Sequence, residues 1–137
     1  MDKELIIKKL QTYFNSKEFV TAAYLFGSVA KNKHRSQSDV DIAVLFQDSL
    51  DLLQRFDLKL TIAADLEEIL GTKTDIVDLA EVDPYFFHQI MLSKQLLIDK
   101  NTRQRVEFEV RLRREYLDRI PFYQLYHREA LKRLEER

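Results

Sequence analysis

The stretch Ser38-Asp39-Val40-Asp41-Ile42-Ala43-Val44-Leu45 decides the fold of this chain. Side chains alternate between the two faces of a strand, so Asp39 and Asp41 are predicted to share one face. Val40, Ile42 and Val44 are then expected to be buried on the other face. Two carboxylates on one face can bind a divalent cation, and the stretch therefore predicts a strand that carries a metal site.

A second informative stretch lies just before it, where Gly27 and Ser28 follow an apolar run. The chain holds only two glycines, and glycine allows a positive φ and a close approach of the backbone to a ligand. Gly27 and Ser28 are predicted to open a short helix whose free amides can meet phosphate oxygens. An ordinary helix cap is the alternative for Ser28 and is compatible with this role. The other glycine, Gly71, is predicted to end a helix in the left-handed conformation.

Gly-Ser, a spacer of ten residues and Asp-x-Asp together resemble the signature of the polymerase-β-type nucleotidyltransferases, in the compact form called minimal nucleotidyltransferases. The resemblance covers about residues 1–100. It implies an α/β (α+β) fold in which a small mixed β-sheet is flanked by helices and followed by a long C-terminal helical segment. Relatives usually carry Ala-Arg-Gly after the Gly-Ser, whereas this chain has Ala30-Lys31-Asn32-Lys33. Asparagine also tolerates the left-handed region, and the lysines keep positive charge near the phosphates.

The resemblance also implies a chemistry, the transfer of a nucleoside monophosphate from ATP with the help of two Mg²⁺ ions. It implies that Asp39 and Asp41 hold the nucleotide-bound ion and share the second ion. A third carboxylate on a later strand, matched by Asp75, would complete the second site and accept the proton of the attacking hydroxyl. The implied catalytic and metal-binding residues are thus Asp39, Asp41 and Asp75, and the implied nucleotide-binding residues are Gly27, Ser28 and Lys31.

Structural roles are the alternative for these residues. Asp39 and Asp75 could cap strand ends while Asp41 pairs with a lysine, although an unpaired buried carboxylate is costly. Asp78 competes with Asp75 as the third carboxylate, but alternation places it on the opposite face, where it is expected to be solvated or salt-bridged. A polar surface loop is the alternative explanation for the cationic side chains of the spacer, which are Lys31, Lys33, His34 and Arg35.

Length and composition favour one folded domain, with a core over residues 1–100 and a C-terminal helical extension over 101–137. The chain has no cysteine, so its chemistry must use oxygen ligands. Residues 1–100 carry 12 basic and 16 acidic side chains, and residues 101–137 carry 10 and 7. This balance argues against direct nucleic-acid binding, and no apolar run is long enough to span a bilayer. We therefore expect a cytoplasmic protein without membrane contact.

Apolar periodicity predicts helices over residues 2–15, 51–70, 84–93 and from 101 onward, and strands over 19–26, 40–46, 74–79 and 95–98. Pro121 is expected to kink or break the last helix. That helix should carry one apolar stripe of Phe108, Leu112, Tyr116 and Ile120 and another of Val106, Val110 and Leu117. The helix over 51–70 should bury a stripe formed by Leu52, Phe56, Leu60, Ala63, Leu66 and Leu70.

The resemblance finally implies a partner. Minimal nucleotidyltransferases are commonly made beside a HEPN-domain protein, and some act as antitoxins by transferring AMP to a tyrosine of that ribonuclease. The leading hypothesis is an ATP- and Mg²⁺-dependent protein adenylyltransferase that forms a hetero-oligomer with a HEPN toxin through its C-terminal helices. Two alternatives stay open, a non-catalytic antitoxin that neutralises its partner by binding, and a nucleotidyltransferase that acts on a small hydroxylated molecule.

Overall fold

A computed structural model describes residues 2–31 and 39–136 and confirms the small mixed sheet flanked by helices. A short 3-10 turn, Leu79–Glu81, follows the third strand. The helices and strands in chain order are α1 (Lys3–Asn15), β1 (Val20–Phe26), α2 (Gly27–Ala30), β2 (Val40–Phe46), α3 (Leu52–Leu70), β3 (Thr74–Asp78), α4 (Pro84–Ser93), β4 (Gln95–Asp99) and α5 (Thr102–Glu135).

The order and direction of the strands gather the predicted site residues at one end of the sheet. The order is β3-β2-β1-β4, with β1 antiparallel to β2 and β4, and β2 parallel to β3. In this register Phe26 pairs with Asp41, and Asp41 pairs with Asp75. The last residue of β1 and the first residues of β2 and β3 therefore meet at one end, which we call the open end of the sheet.

Each face of the sheet has its own core. Helices α1 and α3 cover one face, where Val40, Ile42 and Val44 are buried as predicted. Helices α4 and α5 cover the other face, where Tyr24 and Ala43 pack with apolar side chains of both helices. Because Asp41 alternates with Ile42, its side chain lies on the α4 and α5 face, at the point where that core ends.

Helix α3 begins and ends as its sequence predicts, but the predicted buried stripe is wrong in its first half. Asp51 and Gln54 form a reciprocal capping box, and Gly71 ends the helix with φ +70°. Leu52, Phe56 and Leu60 are 58%, 51% and 54% exposed, whereas the buried residues of the helix are Ile62, Leu66 and Leu70. The exposed and buried sets are centred roughly 80° apart around the helix, so the rotation that buries Ile62 and Leu66 turns Phe56 and Leu60 toward solvent.

The rotation of α3 that the structure adopts brings Arg55 against Asp78. The guanidinium Nε donates to Asp78 Oδ2 at 2.7 Å, and a second nitrogen donates to Glu81 Oε1 at 3.0 Å. The Asp78 side chain is only 6% exposed, and the Ala80 amide donates to its other oxygen at 3.0 Å. Asp78 is therefore salt-bridged on the face opposite the predicted site, one of the two roles expected for it.

Arg55→Leu is expected to lower the free energy of unfolding by about 3 kcal/mol, because it leaves the buried Asp78 carboxylate without its cation. Chemical denaturation measures the change. Glu68→Leu, on the exposed side of the same helix, is the control and should change stability by less than about 0.5 kcal/mol. Equal losses in the two variants would show that the Asp78 ion pair contributes nothing.

Helix α5 does not end at Pro121, which corrects the prediction of a break; it continues from Thr102 to Glu135. Proline lacks the N–H that would bond to the Leu117 carbonyl, but Leu117 and Pro121 are both exposed and water can take that carbonyl. Of the predicted stripes, only Phe108 and Leu112 are buried. No helix within the described residues combines the length and apolar character needed to cross a membrane.

Candidate active site

The turn between β1 and α2 forms one wall of the site. Gly27 adopts φ +75°, as predicted, and its N–H donates to Ser93 Oγ at 3.3 Å. The Lys31 amide donates to the Gly27 carbonyl at 3.2 Å and closes the turn. A Cβ built on Gly27 would lie 2.3 Å from Asp41 Oδ2. The close approach that requires glycine is therefore made to the side chain of Asp41.

The three predicted aspartates lie at the open end of the sheet. Asp41 is half-buried, Asp75 is exposed on the neighbouring strand, and Asp39 immediately precedes β2. Burial, together with the negative charges of Asp75 and Asp39, raises the pKa of Asp41 from 3.8 to about 6. Asp41 is thus close enough to both carboxylates to be repelled by them.

Lys73 joins this group and was missed by sequence reasoning. Its Nζ lies 3.9 Å from Asp39 Oδ2, while its carbonyl accepts a hydrogen bond from the Val40 amide at 3.0 Å. The alternative in which a lysine pairs with Asp41 named no particular residue, and Lys73 pairs with Asp39. The Lys73 side chain is 68% exposed, so the pair adds little to stability. Within the described residues, no cationic side chain forms a salt bridge with Asp41 or Asp75.

The chemistry of these side chains fits a divalent cation in an open site. Within residues 2–31 and 39–136, no three His, Asp or Glu side chains are already arranged to hold a metal ion. Mg²⁺ prefers carboxylate oxygens, usually keeps several waters and takes further ligands from substrate phosphates. Burial is the main cause of the raised pKa of Asp41, and a cation bound beside it would relieve the further contribution, which is repulsion by Asp75 and Asp39. Asp39, Asp41 and Asp75 therefore supply suitable oxygen ligands for Mg²⁺, and the phosphates of a substrate would supply the remaining ones.

Of the predicted nucleotide-binding residues, Gly27 and Ser28 begin α2, Lys31 follows its last residue, and Gly27 lies next to Asp41. Ser28 is half-buried in the only full turn of this helix, and Lys31 is exposed at its end. The predictions for Lys33, His34 and Arg35 concern residues outside those that the structure describes. Gly27, Ser28 and Lys31 stay predictions as phosphate ligands.

Helix α4 forms a second wall of the site. Its last residue, Ser93, accepts the Gly27 hydrogen bond, and the ring of Phe86 meets that of Phe26 edge to face at 6.2 Å. Phe26 is the residue that pairs with Asp41 across the sheet. Helix α4 therefore contacts Gly27 and the residue just before it, a role that its sequence did not reveal.

A polar network connects α5 to the sheet beneath this wall. The Tyr24 hydroxyl donates to the Glu109 carboxylate, which also accepts from Arg105 at 3.1 Å and Lys94 at 3.3 Å. Burial and the Glu109 charge raise the pKa of the Tyr24 hydroxyl, so it stays protonated and donates. The network fixes the start of α5 against β1 and β4.

Asp41→Asn is expected to stabilise the ligand-free chain by about 1 kcal/mol at about pH 8, after allowance for solvent screening of a half-exposed group. The raised pKa means that the folded chain holds this proton more tightly than the unfolded chain does. Stability of the parent chain therefore falls as pH rises from about 4 to about 6, and the asparagine variant lacks this loss. Denaturation in the presence of a chelator should show that Asp41→Asn is more stable than the parent chain above about pH 6 and equally stable below about pH 4. An equal difference in stability at both pH values would show that the raised pKa of Asp41 is not the cause.

The sequence of this chain is similar to those of known proteins. Residues 8–103 match the family model described as polymerase beta, nucleotidyltransferase. The chain is 33% identical over 97 residues to the protein adenylyltransferase MntA of Shewanella oneidensis, a match that covers 70% of this chain and 65% of that protein. The matched part is thus less than two thirds of that relative's length.

Solved structures extend the similarity to the whole chain. A structure described as a toxin-antitoxin with AMP-PNP has a TM-score of 0.61 and 26% identity, and covers 99% of this chain and 98% of that chain. Another, assigned as a minimal nucleotidyltransferase, has a TM-score of 0.53 and 31% identity over 69% of this chain and 95% of that chain. The strand order, the Gly27 turn beside Asp41 and the match over residues 8–103 lead to one conclusion: the chain belongs to the polymerase-β nucleotidyltransferase family.

Proposed function

We propose that this chain is an ATP- and Mg²⁺-dependent protein adenylyltransferase that acts in the cytoplasm as an antitoxin, transferring AMP to a tyrosine of a HEPN-domain toxin. The observation that carries the proposal is that Asp39 and Asp75 lie close to Asp41 at the open end of the sheet. Beside them is a turn at which only glycine leaves room for the Asp41 side chain. The choice of AMP and of a protein acceptor is supported by the similarity to the adenylyltransferase MntA and to a toxin-antitoxin structure with AMP-PNP.

In the proposed reaction the tyrosine oxygen attacks the α-phosphorus of ATP. A bond forms between oxygen and phosphorus, the bond between the α- and β-phosphates breaks, and pyrophosphate leaves. The phenolic proton passes to a carboxylate. Asp75 is suited to accept it, because Asp75 is exposed and pairs with Asp41 on the neighbouring strand. The amide and hydroxyl of Ser28 and the side chain of Lys31 would hold the triphosphate, and Gly27 would let the backbone approach it closely.

Asp39, Asp41 and Asp75 are the residues that would hold two Mg²⁺ ions. When bound, Mg²⁺ would neutralise the charge of the triphosphate and of the leaving pyrophosphate. Asp41 must give up its proton to take part, and its pKa of about 6 places that loss below neutral pH. The helix that contacts the turn, α4, keeps Gly27 above Asp41 through Ser93.

The division of labour that we propose assigns catalysis to residues 1–100 and docking to residues 101–137. Past Leu112, α5 buries none of its large apolar side chains, and Phe122 and Tyr126 are 69% and 78% exposed. Such exposure is typical of a surface that another protein covers. The same exposure supports a second candidate function, an antitoxin that neutralises its partner by occlusion without transferring AMP.

The transfer is tested by incubating the chain with ATP labelled at the α-phosphate, Mg²⁺ and the HEPN-domain protein encoded beside it. We expect label on the partner, mapped by mass spectrometry to a tyrosine, and none when the ATP carries its label only at the γ-phosphate. A partner that associates with the chain yet stays unlabelled would favour the occlusion function.

A further inference from the structure

The apolar stripe of α5 continues beyond the part of the helix that the rest of the chain covers. Its residues recur at alternating intervals of three and four, the spacing at which two α-helices pair side by side. We call this stripe the α5 seam; it consists of Tyr116, Ile120, Tyr123, His127, Ala130 and Leu134.

Helix α4 covers only the first half of the seam. The His88 ring stacks on Tyr116 at 4.1 Å, and the Tyr85 ring meets Tyr123 at 5.6 Å. Because α4 begins at Pro84, it has no residues left to reach the second half of the seam. The uncovered part of α5, residues 124–135, is about 18 Å long and presents Leu134 at 62% exposure.

The uncovered end of α5 has the features of a surface that binds another segment of protein. Residues 124–135 extend a helix that is packed at its start, so they gain no stability from packing of their own, and they expose large apolar side chains. The spacing of the seam indicates that the occupant is itself a helix, because side chains at such intervals interlock with those of a second helix.

The residues on the two sides of the α5 seam differ in charge. This difference indicates what kind of helix can bind there. One flank carries Arg119, Tyr126 and Arg133, and the other carries Leu117, Gln124 and Leu131. Within the described residues, neither arginine forms a salt bridge. A helix with acidic side chains along one flank and apolar side chains along the other would complement both.

A second copy of this chain fits the α5 seam less well. Antiparallel pairing of two copies would place Arg119 of each copy near Arg133 of the other, which brings like charges together twice. Parallel pairing would press the two His127 rings together in the middle of an apolar seam, where polar groups are costly to bury.

We propose that the second half of the α5 seam docks an amphipathic helix of the partner protein whose flank facing Arg119 and Arg133 is acidic. The identity of that partner, the HEPN-domain protein encoded beside this chain, rests on the proposed function. The docked helix continues the packing that α4 begins, so the partner is anchored to the helix that contacts the Gly27 turn.

Binding of the purified partner to full-length variants tests the inference. Leu134→Glu is expected to weaken binding at least tenfold, because it buries a charge against the docked helix. Leu125→Glu is the matched control, since Leu125 is 52% exposed on the opposite side of the same helix and should bind within about twofold of the parent chain. Arg133→Glu should weaken binding as well, and more at low salt than at high salt. Circular dichroism checks that each variant keeps its helices.

Site-specific labelling provides a second measurement, because the chain has no cysteine of its own. An environment-sensitive fluorophore on Leu134→Cys should shift to the blue when the partner is added, and the same probe on Leu125→Cys should not. Equal binding by Leu134→Glu and Leu125→Glu, or a homodimer of the free chain that Leu134→Glu dissolves, would overturn the inference.

The outcomes separate this inference from the proposed function. If Leu134→Glu abolishes binding but the parent complex transfers no AMP, the docking surface stands and the adenylyltransferase proposal fails. If AMP transfer occurs and Leu134→Glu leaves both binding and transfer unchanged, the docking surface fails alone.

Discussion

Replacing Asp39 and Asp41 together by asparagine is expected to reduce AMP transfer to the partner by about a thousandfold or more. Asparagine keeps the size of each side chain but removes the two charges that would hold a divalent cation and, through it, the triphosphate. The strand should remain intact, because the buried side chains of β2 are unchanged. The measurement is the initial rate of label incorporation at saturating ATP, with partner affinity measured on the same samples.

Asp57→Asn is the matched control for this loss, because Asp57 lies on the exposed side of α3, away from the open end of the sheet. It should keep transfer within about twofold of the parent chain. Transfer that survives in the Asp39→Asn, Asp41→Asn variant would remove the mechanism. If that variant still protects cells from the toxin without transferring AMP, occlusion is the function.

Gly27→Ala is expected to reduce AMP transfer by about a hundredfold or more while the chain still folds. The added methyl would lie 2.3 Å from Asp41 Oδ2, so either the carboxylate or the turn has to move. Both movements misplace groups that must act together on the triphosphate. The measurement is again the transfer rate, with thermal unfolding used to separate lost activity from lost structure.

Gly71→Ala is a close control for Gly27→Ala because the two glycines share a left-handed conformation, with φ +70° and +75°. Nothing lies within 4 Å of a Cβ at position 71, so that variant has only the backbone strain, about 1 kcal/mol. We expect Gly27→Ala to lose at least as much stability as Gly71→Ala, and only Gly27→Ala to lose activity. Equal activity in the two variants would show that the contact with Asp41 is unimportant.

The features that sequence predicted well depend on neighbours close along the chain. Alternation along β2 placed Asp41 opposite Ile42 and Val44, and Asp83 with Pro84 marked the start of α4 at the observed residue. Gly27 and Gly71 were identified by their position after an apolar run and after a helix. Each of these inferences needs only the backbone preferences of a few consecutive residues.

The features that sequence did not predict depend on pairs that are far apart in the chain. The rotation of α3 is tied to the contact between Arg55 and Asp78, and a helix whose apolar residues span a wide arc gives no sign of which part of the arc will be buried. Lys73 reaches Asp39 only because β3 lies parallel to β2. No local pattern encodes either pairing, although a basic residue on the buried side of a helix would have been a usable signal for Arg55.

The outward-facing stripe on α3 has a consequence for stoichiometry. Leu52, Phe56 and Leu60 lie on the side of the sheet that α1 and α3 cover, whereas α5 packs on the other side. A partner that binds only to α5 therefore leaves these apolar side chains of α3 exposed to solvent. Covering both surfaces at once requires either a second partner or one that reaches both sides of the sheet.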